Sequence, residues 1–172
     1  MHSFVALAHH AIKTYLESQY TISAPSPLPE IMAAQAAVFV TLHTADDKLR
    51  GCRGTLTPTK PNLAEAIIHT AIASATDDPR FPPMIFTELP GLQIKIDVLS
   101  RLEPVQHISD LNEKVYGVFI EAGKRRGVLL PAIASVDSVA HQLELVRLKA
   151  GITPDEAANL YRFTVIRYEA NS

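Results

Sequence analysis

Cys52 is the only cysteine of this chain, and it sits between two glycines in the segment Leu49-Arg50-Gly51-Cys52-Arg53-Gly54. A thiolate is a nucleophile, and a neighbouring guanidinium favours that ionised form. Consecutive side chains of an extended strand face opposite sides, so Cys52 and Arg53 diverge while Arg50 shares the Cys52 side. Gly51 and Gly54 carry no Cβ and let the segment approach another surface closely. Covalent catalysis also needs a base within hydrogen-bond reach and donors for developing charge. His43 and His69 are the nearest histidines along the chain, and His69 is the candidate catalytic partner of Cys52. Two plainer roles stay open for Cys52: a small packed hydrophobe whose glycine neighbours relieve crowding, or a ligand contact.

Arg50 and Arg53 are the residues to hold a carboxylate or phosphate through directional hydrogen bonds. A second polar group follows at Asp77, Asp78, Arg80 and Phe81. Its carboxylates can cap a loop, pair with Arg80 or assist chemistry. The candidate ligand surface is therefore Arg50, Gly51, Cys52, Arg53, Gly54, Asp78, Arg80 and Phe81. Gly51 to Gly54 is too short for a P-loop and lacks its Gly-Lys-Ser/Thr ending, and no dinucleotide fingerprint is present. His2, His9 and His10 form no metal site, because adjacent helical residues point about 100° apart. A solitary cysteine excludes an intrachain disulfide and a multi-cysteine zinc site within one subunit. No cofactor and no metal are expected.

Lys plus Arg number 16 against 18 Asp plus Glu, a formal charge of -2, which gives no overall reason to expect a polyanionic partner. Lys124-Arg125-Arg126 is the one compact basic run; it reads as a solvated turn, with an RNA-binding patch as the alternative. The N-terminus lacks a basic region ahead of its short apolar run, and no stretch approaches the roughly 20 apolar residues of a membrane span. A cytoplasmic protein with no membrane contact is expected.

Several elements must position these residues. With 47% hydrophobic residues over 172 positions, one domain with a sizeable core is expected across 1–172. Phe4, Leu7, Ala8, Ala11, Ile12 and Tyr15 recur at helical spacing over about residues 3–18. The proline-rich 24–29 stretch reads as an ordered connection or lid. Residues 36–42 suit a strand, 44–48 a turn and 49–56 a second strand, making a hairpin. Pro61 opens a helix with an apolar face from Leu63 to Ala75. Leu92, Ile94, Ile96 and Val98 alternate as a half-buried strand, and shorter strands are expected at 116–121 and 127–130 around an exposed turn. A helix through Val136 to Ala150 ends at Gly151. Thr153-Pro154-Asp155-Glu156 has the spacing of another helical start, and the chain closes on a strand from Tyr161 to Tyr168. Hairpins with irregularly spaced helices favour an α+β layer fold with a predominantly antiparallel sheet.

Four segments together resemble the AMMECR domain family: Leu49-Arg50-Gly51-Cys52-Arg53-Gly54-Thr55-Leu56, Asp78-Pro79-Arg80-Phe81-Pro82-Pro83, Arg126-Gly127-Val128-Leu129-Leu130-Pro131 and Lys149-Ala150-Gly151. Their order spans nearly the full chain. The resemblance implies two intimately associated α+β subdomains with an intervening cleft lined by the glycine-cysteine segment. It also implies a pathway association with radical S-adenosylmethionine and Memo-like proteins. This chain departs from the family pattern at Arg53, where an apolar residue is usual, at Ala132, where glutamine is usual, and around His141, which lacks a tryptophan. Two functions are carried forward. One is a binding or accessory component of a modification pathway acting through a polar cleft. The other is an enzyme acting on a small polar or anionic substrate, with Cys52 as nucleophile or contact.

Overall fold

Helical spacing near the N-terminus produces α1, Ser3–Ser18, which buries Phe4, Val5, Ala8, Ala11 and Ile12 along one face. The computed structural model of the chain describes residues 2–170. The short α2, Glu30–Ala33, contributes Met32 to the same core. The expected hairpin forms from β1, Ala37–His43, and β2, Leu49–Gly54. Helix α3, Leu63–Thr76, starts where the Asn62 side chain accepts the Glu65 N–H, satisfying one of the amides that a helix start leaves without a partner. Strand β3 is Gln93–Leu99.

A second set of elements follows: β4, Glu103–Pro104; β5, Gly117–Ala122; β6, Arg125–Leu129; α4, Val139–Ala150; and β7, Asn159–Phe163. The chain closes on β8, Val165–Tyr168. Gly151 terminates α4 in the left-handed conformation at φ 67°, which glycine adopts without a Cβ penalty.

The chain forms two units, one taking Met1–Leu99 with Ile166–Ser172 and the other Ser100–Val165. The sheet order of the first is β2-β1-β3-β8 and of the second β4-β7-β5-β6. Both hairpins and the β1–β3, β4–β7 and β5–β7 pairings are antiparallel. This is the α+β architecture expected from the alternation of strands and helices.

In the first unit, Val38, Val40 and Leu42 of β1 and Ile94 and Ile96 of β3 meet Phe4, Ala8 and Ile12 of α1 and Ile67, Ala71 and Ala75 of α3. Fully burying each large aliphatic or aromatic side chain contributes about 1.5–3 kcal/mol. In the second unit, Val118 and Ile120 pack with Leu129, Val146, Ala150 and Ile152. The last strand is tied into the first unit by Arg167, whose guanidinium donates to both oxygens of the buried Asp97 at 2.7 and 2.9 Å.

Three local readings differ from the fold. The closing strand is not one element: it breaks at Thr164, with β7 and β8 in different sheets. Thr153 to Glu156 forms a turn, with the Glu156 N–H donating to Thr153 C=O at 3.1 Å, and the chain re-enters a sheet at Asn159. The Glu156 carboxylate goes to Arg125 instead of back to a helix cap. The turn around Gly123 is tighter than expected, because Arg125 and Arg126 already belong to β6 and pair with Ala122 and Glu121.

Among the described residues, no helix is long and apolar enough to cross a membrane.

Candidate functional site

Strand β2 is an edge strand, and its geometry follows from Gly51. A Cβ at Gly51 would stand 2.0 Å from the backbone oxygen of Ser74, so α3 lies directly on the strand at this point. Gly51 and Arg53 accordingly face α3 and Cys52 faces the other side of the sheet, while Arg50 is the extra residue where the β1–β2 register shifts between Leu42 and His43 and takes its direction from its own partners. Ser74, 1% exposed, sits at the junction. Its hydroxyl accepts the Arg53 N–H at 3.0 Å and lies 2.8 Å from Val40 C=O and 2.8 Å from Thr70 C=O, which compete for its proton. It thereby bridges Val40 and Arg53, which are register partners of β1 and β2. Replacing Ser74 with alanine strands these buried backbone groups and is expected to cost about 1–3 kcal/mol, read as a lower urea midpoint.

Cys52 is partly exposed. Its sulfur lies 3.3 Å from the hydroxyl of Thr41, its register partner on β1. Its backbone N–H points off the sheet edge and donates to Asp78 Oδ2 at 2.8 Å. Asp78, 5% exposed, also accepts the Arg80 N–H and Nε–H at Oδ1, both at 3.0 Å, and Arg80 Nη2–H at Oδ2, at 2.7 Å. These bonds, led by the Arg80 side chain, outweigh desolvation and hold the Asp78 carboxyl far below the usual carboxylate range. One side chain thus fixes both the edge strand and the turn that follows α3.

Arg50 is held as firmly. Its Nε–H donates to Glu88 Oε2 at 2.6 Å, and its Nη2–H donates to Glu88 Oε1 at 2.9 Å and to Pro82 C=O at 3.1 Å. The Arg50 hydrogen bonds lower the Glu88 pKa despite partial burial. Glu88 Oε1 in turn accepts the Ile85 N–H at 2.9 Å. The guanidinium carbons of Arg50 and Arg80 lie 5.8 and 5.6 Å from the centroid of the Phe81 ring, within cation–π range. Arg50, Cys52, Asp78, Arg80 and Phe81 therefore form one bonded group.

The other candidates lie elsewhere. Arg53 is 3.5 Å from Asp77. His69 is on the outer side of α3, 3.5 Å from Glu65, and lines a cavity with Arg53 and Gly54. The histidine that shares the Cys52 face is His43, two residues along β1 from Thr41. Its Nδ1 is buried without a hydrogen-bond partner. Burial first, and Lys95 second, push its pKa down and favour the neutral imidazole. Register decides this, and register is invisible until the turn at 44–48 is known to place His43 opposite Leu49. In the basic run, Arg125 pairs with Glu156 and Arg126 lies 3.6 Å from Glu121.

A two-unit α+β protein with antiparallel sheets, carrying a glycine-framed cysteine on an edge strand braced by a buried aspartate, defines a recognisable class. The chain belongs to the AMMECR1 family, whose profile matches residues 5–172. A Thermotoga maritima protein is 48% identical over 170 residues, which span 98% of each chain. Protein CA_C1420 of Clostridium acetobutylicum is 36% identical over 168 residues, covering 96% of this chain but 36% of that protein. The crystal structure of PH0010 from Pyrococcus horikoshii is similar with a TM-score of 0.88 at 34% identity, covering 96% of this chain and 89% of that one.

Proposed function

We propose that this chain is a cytoplasmic binding or accessory component of a modification pathway, and that the Arg50, Cys52, Asp78, Arg80 and Phe81 group receives a small polar or anionic moiety. The observation that carries the reading is the Arg50 guanidinium. Two of its nitrogens are committed to Glu88 and Pro82, while Nη1 is buried and has no partner. A buried donor without an acceptor is uncommon and calls for one. The bidentate grip of Glu88 presets the orientation of that donor, so little ordering remains when a ligand arrives. The occurrence of the family domain as about a third of a longer Clostridium protein fits a module that works beside other components. The family resemblance points to Memo-like and radical S-adenosylmethionine proteins as those components.

Native mass spectrometry of the purified chain and of Arg50→Lys tests this reading. The wild type is expected to retain an anionic ligand that the variant loses, because lysine cannot reproduce the planar fork of donors. Absence of any retained or added anion on the folded wild type would contradict it.

A second reading, an enzyme using Cys52 as nucleophile or substrate contact, is favoured by the partial exposure of that thiol and its Thr41 contact. On this face the neutral His43 is the available base, in place of His69. The two readings part at Cys52→Ala. Under the binding reading the variant folds, with its Asp78 bond to the backbone intact, and ligand affinity changes less than about tenfold, or about 1.4 kcal/mol. Turnover of a metabolite by the purified chain that disappears in Cys52→Ala would establish the enzyme instead.

A further inference from the structure

On the α3 side of β2, opposite the face that carries Cys52, a cavity of about 200 Å³ is lined by Arg53, Lys60 and His69 and by three threonines, Thr55, Thr59 and Thr70. Three parts of the first unit converge here: the end of β2, the loop leading to α3, and the outer side of α3.

The donors of this cavity are largely uncommitted. Among the described residues, the Lys60 ammonium makes no ion pair, and the hydroxyls of Thr55, Thr59 and Thr70 make no hydrogen bond to protein. Arg53 and His69 have only loose partners, Asp77 and Glu65, each at 3.5 Å, and Asp77 is 75% exposed. Exposed pairs of this kind contribute about 0–1 kcal/mol, so an anion of higher charge can displace them.

We infer that this cavity is a binding site for the phosphoryl group of a small phosphorylated molecule or for free phosphate. A planar carboxylate is satisfied by one forked arginine. Three hydroxyls, two cations and an imidazole, contributed by three parts of the first unit, match a tetrahedral anion with several oxygens. Size narrows the ligand further. The cavity has room for several waters, enough for a phosphoryl group and a short stem. It is smaller than the roughly 300–1,000 Å³ that drug-sized ligands occupy and open to solvent, so it encloses the phosphoryl end of a ligand and not the whole of a large one. The site is separate from the Arg50 group, so its failure would leave the reading of the Cys52 face standing.

Titration of the full chain with inorganic phosphate and with glycerol phosphate, followed by backbone amide shifts at constant ionic strength against chloride, tests the inference. Saturable shifts are expected at Thr55, Lys60 and Thr70, and Lys60→Ala, which removes no protein contact, is expected to weaken binding by about tenfold. Lys124→Ala, in the exposed turn of the other unit, is expected to leave affinity unchanged. Tighter binding of the ester assigns the remaining volume to an organic stem, and equal affinity assigns a free-anion site. No saturable shift at millimolar phosphate, or identical affinity in Lys60→Ala, overturns the inference.

Discussion

Asp78→Asn is expected to destabilise the chain by about 2–4 kcal/mol near neutral pH. Each Asp78 oxygen accepts two donors: Oδ2 serves Cys52 N–H and Arg80 Nη2–H, and Oδ1 serves Arg80 N–H and Nε–H. An asparagine can place its amide nitrogen at either position, but in both it points donors at two donors. The side chain is nearly fully buried, so water cannot step in. Arg80 is 55% exposed and recovers part of its solvation, which sets the upper end of the range. The pH dependence has a definite sign. The folded pKa of Asp78 is depressed, so its contribution is fully present above the unfolded value of about 3.9 and is lost as pH falls through the folded value. Urea unfolding of wild type and variant is therefore expected to show a constant difference from about pH 5 upward and a shrinking one below about pH 4. A difference that stays constant into strong acid would show that the carboxylate is not the stabilising species.

Gly51→Ala is expected to be at least as damaging, about 3–5 kcal/mol or failure to fold. The added methyl would meet the Ser74 carbonyl at 2.0 Å and its carbon at 3.1 Å. Both belong to the backbone of α3, so no rotamer change relieves the clash. Either α3 lifts from β2, breaking the Ser74 bridge, or the edge strand leaves β1. Gly123→Ala provides the contrast. Gly123 has open space around its Cβ position but φ 61°, so only left-handed backbone strain of about 1–2 kcal/mol is expected. Thermal unfolding of the two variants separates steric from conformational demand. Equal midpoints would contradict the close approach of α3.

Much of this architecture is legible in the sequence because burial imposes periods. The 3.6-residue pattern from Phe4 to Tyr15 marks α1, and the alternation from Leu92 to Val98 marks β3. The end of the chain is less legible: Tyr161, Phe163 and Val165 alternate and the period slips by one residue at Ile166, but a slip alone does not say that Thr164 hands the chain from one sheet to another. Thr153 to Glu156 has the spacing of a helix start, yet Glu156 is drawn to Arg125, a tertiary partner 31 residues away. The site is legible in composition but not in connection. Asp78, Arg80 and Phe81 stand out as a polar cluster, and the glycines as points of close approach. That Asp78 holds the Cys52 amide, and that Glu88 holds Arg50, depends on tertiary placement. Glu88 carries no local signal at all, and His43 gains its place on the Cys52 face only through hairpin register.

The proposed role of the Cys52 face is most directly tested by the alkylation rate of Cys52, the sole thiol of the chain. The rate is measured on the purified chain alone and with purified Memo-like and radical S-adenosylmethionine proteins, the proposed partners. The expected result is a slower reaction in the complex, with protection lost in Phe81→Ala, whose ring bridges the two guanidinium groups. An unchanged rate in the presence of those proteins, together with metabolite turnover by the chain alone, would contradict it.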